Sequence, residues 1–322
     1  MDAIILDAYG PPENLRPAAL PDPEPGPGQA RVAVRAAGVH FIETLLRRGV
    51  AVGPHPAPAL PAVLGGEVAG VVDAVGEGVD PALAGARVVT GDLESGGYAS
   101  LAVVDAASLI PLPAHVPYGA AVAMVTTGTT TLGLLELAPV TRQDTVLVMA
   151  AAGGIGTLLV RHARLAGATV VGAAGGPAKG ERVRELGATL AVDYRTPGWQ
   201  ETVREAAGAV TVVFDGVGGR RGEEAFGLLA EGGRHVVYGQ AAGEWFRPAE
   251  EEAAARGVTS HDGIGYLVSR PGGLGDLTGR ALAEAAGGRL EPAVQEFPLR
   301  EAAAAHRALE ERRTMGKVVL TP

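Results

Sequence analysis

The chain has 322 residues, 47% of them hydrophobic and 20% charged, with a formal net charge of −9. That length supports two domains with separate cores, and the acidic balance argues against nucleic acid or an anionic membrane surface as the main partner. There is no cysteine, so disulfides, thiolate catalysis and cysteine-ligated zinc are excluded.

The N-terminus, Met1 to Asp7, has neither a basic segment nor a long apolar run, so no signal peptide is expected. No stretch reaches the length of a membrane span without charges or turn residues, and a soluble, cytoplasmic protein is the expectation. Residues 1–117 read as short strands separated by Pro and Gly. Ile4–Tyr9 is a first strand, and Leu20–Gly28 is a turn-rich connector. Gln29–Ala37 alternates like a half-buried strand, and Ile42–Arg48 suits a short helix ended by Gly49. A second proline-rich loop, Pro54 to Pro61, leads into strands at Val68–Val75, Gly85–Thr90 and Gly97–Val103. Many short strands of this kind predict a β-barrel-like domain.

Helical periodicity appears at Gly119–Leu137, and from Thr145 strands alternate with helices. Strands are expected at 145–150, 169–174, 190–193, 210–215 and 234–239. Helices are expected at 155–166, 178–187, 199–207 and 221–230. That alternation predicts a doubly wound parallel sheet. One more strand after Gly257, helices over 277–285 and 299–312, and a last strand at Lys317–Leu320 complete the chain. The apolar run Thr145–Met149, the turn at Gly153 and Gly154, and the helix from Gly156 form the first unit of a dinucleotide-binding fold. Ala151, Gly153 and Gly156 occupy the three small-residue positions of its fingerprint, and the helix N-terminus faces the pyrophosphate. Ala152, Gly153, Gly154 and Ile155 are therefore candidate cofactor contacts.

The second strand of such a fold ends in Asp or Glu when it holds unphosphorylated ribose. Here Val170–Gly176 has no acid, which leaves Gly175 as a candidate contact and favours NADPH. Lysine occurs only at Lys179 and Lys317, the other basic residues being arginine, and Lys179 stands just past that strand. Val217 and Gly218 after the fourth strand, and Tyr238 and Gly239 after the fifth, lie at the carboxyl edge where open sheets bind ligands.

The order of motifs resembles the zinc-free quinone oxidoreductases, the zeta-crystallin-like branch of the medium-chain dehydrogenase/reductase superfamily. The stretches that carry the resemblance are Gly38–Glu43, Gly65–Gly70, Gly78 through Val89, Gly128–Thr131, Ala150–Gly156, Val213–Gly218 and Gly316–Leu320. The resemblance implies an α/β protein. A GroES-like β-barrel domain (1–117 and 268–322) would carry an inserted Rossmann domain (118–267), its C-terminal residues returning to the barrel domain. It also implies NADPH-dependent two-electron reduction of a quinone or activated alkene by a homodimer or homotetramer. The family's 2′-phosphate ligands fall on Lys179, Tyr194 and Arg312, and Lys317 joins the cofactor set through the terminal motif.

Zinc-bearing relatives place their catalytic ligands at positions that here read His40, Gly66, Glu67 and Thr126, too few for zinc, so no metal is expected. His40 stands where the family has Asn, beside nicotinamide and substrate. It either donates a proton to the reduced oxygen or only orients the cofactor. Glu67 reads as a residue holding its glycine-rich bend. Thr130 matches the family's threonine near the carboxamide, among Thr126, Thr127, Thr129 and Thr131. Leu45 and Leu46 replace aromatic residues common in the family pocket, which gives weight to an aliphatic substrate. The alternatives are thus an enone, enal or enoyl-thioester reductase, or a non-catalytic NADPH-binding protein.

Overall fold

A computed structural model describes residues 1–53 and 55–322. Pro54, where the second proline-rich loop was placed to begin, lies outside the described residues. The chain forms two compact units, Met1–Thr126 with Leu282–Pro322, and Thr127–Ala281.

The first unit opens with β1 (Asp2–Leu6), β2 (Leu15–Ala19), β3 (Gln29–Val39) and helix α1 (Phe41–Arg47). Five strands follow: β4 (Ala62–Val63), β5 (Val68–Val75), β6 (Arg87–Thr90), β7 (Leu101–Asp105) and β8 (Ile110–Pro111). Helix α2 (Tyr118–Ala123) packs on β3 and β5. β3 begins by alternating, with Ala30, Val32 and Val34 buried, and then becomes continuously buried from Ala36 to Val39. That change suits a strand that starts at a rim and ends inside the unit.

The second unit contains α3 (Thr129–Leu137), β9 (Thr145–Met149), α4 (Gly154–Leu165), β10 (Thr169–Ala174) and α5 (Pro177–Glu185). It continues through β11 (Leu190–Asp193), α6 (Trp199–Ala207), β12 (Val210–Asp215), α7 (Gly219–Phe226) and β13 (Leu229–Val237). After these come α8 (Glu250–Ala255), β14 (Thr259–Asp262), α9 (Gly263–Ser269) and α10 (Gly275–Ala286), whose residues from Leu282 on belong to the first unit. Its sheet runs β11-β10-β9-β12-β13-β14, parallel throughout. The strand order reverses between β9 and β12, the switch point of a doubly wound fold. Leu147, Met149, Val171, Val213 and Phe226 fill its core.

β15 (Val294–Pro298), α11 (Ala302–Glu310) and β16 (Lys317–Thr321) complete the first unit. Its larger sheet runs β15-β16-β3-β5-β6-β8, with β7 also on β3, beside a three-stranded sheet β2-β1-β4. The return of the C-terminal strand to the N-terminal sheet is therefore present as β16 on β3.

Several features differ from the sequence reading, the unexpected α8 and the start of β13 at Leu229 rather than 234 among them. The units divide after Thr126 and Ala281, because α2, which starts the helical periodicity, packs on β3 and β5. At the later edge Leu267 and Leu277 are buried in the second unit, and a Cβ on Gly133 would meet both. Helix α9 was not anticipated; its two glycines hide it, while Asp262 caps it by accepting the Gly265 N–H at 2.9 Å. α7 stops at Phe226 rather than reaching 230, because Gly227 caps it and β13 starts at Leu229. The run Tyr118–Leu137 does meet the length and apolarity of a membrane span, yet 72% of its most apolar window is buried, as in the core helix of a soluble protein.

Candidate functional site

The strand–turn–helix of the second unit is built for close approach. After β9 the chain turns through Ala150 at φ 53°, a conformation unfavourable for a residue with a Cβ. Gly153 is the N-cap of α4, so the first-turn N–H groups of Gly154, Ile155 and Gly156 lack helical carbonyls and carry the positive end of the dipole. A Cβ on Gly156 would clash with the Ala150 carbonyl and lie 2.8 Å from Ala151 Cα. Only glycine seats the helix this tightly on its strand. Gly156→Val is expected to cost about 1–3 kcal/mol by overpacking and to abolish detectable dinucleotide binding. Thermal melts with an NADPH titration followed by nicotinamide fluorescence check both effects.

Along the carboxyl edge of the sheet, Gly175 and Gly176 follow β10, Lys179 sits in the first turn of α5, and Tyr194 follows β11 against the core. Val217 is buried, and its N–H and that of Gly218 donate to Asp215 Oδ1 at 2.8 and 3.0 Å. The Tyr238 ring lies across Gly216, and its hydroxyl donates to the Met149 carbonyl at 3.2 Å. Burial, followed by the charge of Asp215, raises its phenol well above the ordinary value. The side chain of Tyr238 is thus committed inward, and its backbone N–H donates to the Asp215 carbonyl at 2.8 Å.

Thr127, Thr129 and Thr131 are buried, whereas Thr130 is partly exposed. Thr129 donates to Thr278 at 3.0 Å and Thr131 to the Thr127 carbonyl at 2.8 Å, while Thr126 is partly exposed as Thr130 is. The preceding turn, Met124–Gly128, is a π-helix, a feature frequent at functional sites and invisible to periodicity.

A second constellation lies in the first unit, where β3 ends at His40. Val39 pairs with Val318 of β16, so Lys317 comes opposite His40. On the other side of β3 the Gly38 N–H donates to the Glu67 carbonyl at 3.1 Å, bringing Glu67 to the same place. His40 Nε2 lies 3.1 Å from Glu67 Oε2 and 3.2 Å from Lys317 Nζ, and Lys317 forms an ion pair with Glu67 Oε1. Glu67 is fully buried, Lys317 is 5% exposed, and the His40 side chain keeps 24% of its surface. Burial pushes the Glu67 carboxyl up, but the charges of His40 and Lys317 outweigh it and bring the value down to about 2.

Behind this cluster, Glu43 Oε2 accepts the His40 N–H and the Tyr98 hydroxyl, both at 2.7 Å, and Oε1 accepts the Gly66 N–H at 3.2 Å. One buried carboxylate therefore ties the backbone of His40 to that of the residue before Glu67. Tyr98 also lies 3.0 Å from His306 Nε2.

Residues 26–114 match the family described as the alcohol dehydrogenase GroES-like domain, and residues 186–320 the family described as zinc-binding dehydrogenase. A quinone oxidoreductase of Pseudomonas aeruginosa is 35% identical, covering 99% of each chain. The chain belongs to the quinone oxidoreductase family. A family member of different stated specificity, the 2-haloacrylate reductase of a Burkholderia species, is 34% identical over 99% of this chain and 98% of its own. The structure of Escherichia coli quinone oxidoreductase complexed with NADPH covers the whole chain and is wholly covered by it, at TM-score 0.85 and 30% identity. These quinone oxidoreductases place the chain in the medium-chain dehydrogenase/reductase superfamily.

Within this quinone oxidoreductase fold the second unit gathers Ala152–Ile155, Gly175, Lys179, Tyr194, Val217, Tyr238 and Gly239 at the carboxyl edge of its sheet. Arg312 belongs to the first unit, in a left-handed conformation at φ 55°. Lys317 differs from the sequence reading in its surroundings, because its ammonium is engaged by Glu67 and His40. The coupling of these three residues, and the presence of Arg195 beside Gly176, were missed. No local spacing announces either; the lysine-poor composition was the one available signal for Lys317.

Proposed function

We propose that this protein is an NADPH-dependent, zinc-independent reductase that delivers hydride to a quinone. The observation that carries the reading is the full-length likeness to a quinone oxidoreductase solved with NADPH, joined to the β9–α4 cradle of this chain. The free first-turn N–H groups after the Gly153 N-cap fit a site made for a pyrophosphate. The turn and α4 N-terminus at Ala152–Ile155 would hold the pyrophosphate, and Lys179 and Tyr194 the 2′-phosphate, to which the family resemblance also assigns Arg312. Val217, Tyr238 and Gly239 would pack along the nucleotide, with Thr130 at the carboxamide. When bound, NADPH supplies the hydride.

The work of the chain itself falls on His40. Its Nε2 faces an acceptor, Glu67, and a donor, Lys317, at nearly equal distances. A histidine held between these two groups, with part of its surface exposed, suits proton delivery to an oxygen that gains charge. In this reading Lys317 acts through His40 rather than on the cofactor.

Nicotinamide absorbance in the presence of benzoquinone or phenanthrenequinone tests the reading, with NADH, an enone and crotonyl-CoA run beside it. NADPH with a quinone is expected to turn over fastest, at a rate unchanged by prior dialysis against a chelator. Turnover of the enone or thioester alone would transfer the protein to the double-bond reductases, the reading favoured by the 2-haloacrylate relative and by Leu45 and Leu46 beside His40. Tight NADPH binding without turnover would mark a non-catalytic protein. His40→Asn is expected to remove an ionisation from the pH profile of kcat; an unchanged profile would reduce His40 to a cofactor-orienting residue. The same reading places the protein in the cytoplasm as a homodimer or homotetramer, which light scattering checks.

A further inference from the structure

β10 itself ends without an acid, in Ala173, Ala174 and Gly175. The carboxylate of Asp193, at the end of the neighbouring β11, nevertheless reaches the tip of β10 and accepts the Gly176 N–H at 2.9 Å. A carboxylate at this place is what binds ribose hydroxyls and repels a 2′-phosphate. Here it is covered. Arg195 donates from Nε to Oδ1 at 3.0 Å, from Nη2 to Oδ2 at 2.8 Å and from its backbone N–H to Oδ1 at 3.0 Å. Two parallel contacts fix the plane of the guanidinium, which a single contact would leave free to swing.

The location of that plane can be read from the glycines beneath it. A Cβ on Gly176 would lie 2.8 Å from Arg195 Nη2 and 3.9 Å from Nη1, and one on Gly175 would lie 3.3 Å from Nε and 3.6 Å from Tyr194 Oη. The guanidinium therefore spans both glycines beside the tyrosine hydroxyl. Nη1 donates to no protein group among the described residues, and the Arg195 side chain is 59% exposed.

We propose that the Asp193–Arg195 pair sets dinucleotide selectivity: Asp193 aims Arg195 at a 2′-phosphate, and Arg195 masks a carboxylate that would otherwise favour unphosphorylated ribose. The proposal rests on the nucleotide site assigned above and adds two residues to Lys179 and Tyr194.

Isothermal titration calorimetry of the full-length protein with 2′,5′-ADP and with ADP tests it without turnover. The unsubstituted protein is expected to prefer 2′,5′-ADP. Arg195→Ala is expected to lower that affinity at least about tenfold, as loss of a charge-assisted contact does, and to strengthen ADP binding. Asp193→Asn keeps an acceptor for Gly176 but leaves the guanidinium a single contact, so the preference for 2′,5′-ADP is expected to fall about threefold. The double variant is expected to bind ADP more weakly than Arg195→Ala, because the uncovered carboxylate is gone. An unchanged ratio in Arg195→Ala overturns the proposal, as does an Asp193→Asn that weakens both probes equally with a lowered melting temperature. An unsubstituted protein that binds neither probe would overturn the nucleotide site itself, an outcome distinct from the other two.

Discussion

Lys317→Met is expected to cost about 3–5 kcal/mol of stability, the penalty for leaving a buried charge without its partner. Glu67 is fully buried and Lys317 nearly so, so water does not replace the lost ammonium. His40 remains beside Glu67 at 3.1 Å, but it carries a full charge only when protonated. Quinone turnover is expected to fall with stability, since the same ammonium supports His40. The double variant Glu67→Gln/Lys317→Met removes both charges and is expected to recover more than half of the loss, because an uncharged pair has little desolvation to offset. Differential scanning calorimetry of the three proteins checks the cycle. Had Lys317 acted only as a cofactor ligand, the single variant would raise the KM for NADPH and leave the melting temperature unchanged. That result would remove the cluster from the proton-delivery scheme.

The difference between the fold and this cluster explains how much was legible in the sequence. The first β–α steps of the second unit were the most readable, because each step is local: Thr169–Ala174 and Trp199–Ala207 occupy the predicted spans. Apolar runs, glycine turns and the 3.6-residue period all act within a dozen residues. The fingerprint of Ala151, Gly153 and Gly156 was legible for the same reason. His40, Glu67 and Lys317 are joined by strand register, with the outer two 277 positions apart, and no periodicity spans that distance. Glu67 looked like a bend residue because its neighbours are glycines. The glycine that the buried carboxylate requires lies elsewhere, on β3: a Cβ on Gly38 would overlap it. The acid-free end of β10 was read correctly along the chain, but the acid arrives from the next strand, where sequence order gives no warning.

Stability is expected to fall as pH drops below about 6.5, the ordinary histidine value, before most carboxylates titrate. Two fully buried histidines are responsible, one in each unit. Burial, with a smaller contribution from Arg47, lowers His306 to about 3; burial, with a smaller contribution from His261, lowers His235 to about 4. The hydrogen bonds agree for His306. The single Tyr98 proton goes to Glu43, so His306 must donate from Nε2, and its bare Nδ1 is buried with no partner among the described residues. A second proton would have no acceptor. Because both folded values lie below the unfolded one, the unfolded chain takes up protons first. The stabilisation is complete above pH 6.5 and is lost progressively as pH falls towards 4 and 3. At about 1.4 kcal/mol per pH unit, each histidine forfeits on the order of 3 kcal/mol by pH 4. Glu67, lowered to about 2, is likewise stabilising above its ordinary value of 4.5 and loses that contribution only below it. Asp215 opposes the trend, because burial raises its carboxyl. Calorimetric melts from pH 7.5 to 4.5 are expected to show the melting temperature dropping by roughly 6–12 °C. His306→Gln, which keeps a donor for Tyr98 and cannot titrate, is expected to flatten that slope for the first unit. A melting temperature constant between pH 7 and 5 in the unsubstituted protein would mean that neither ring is held neutral by the fold.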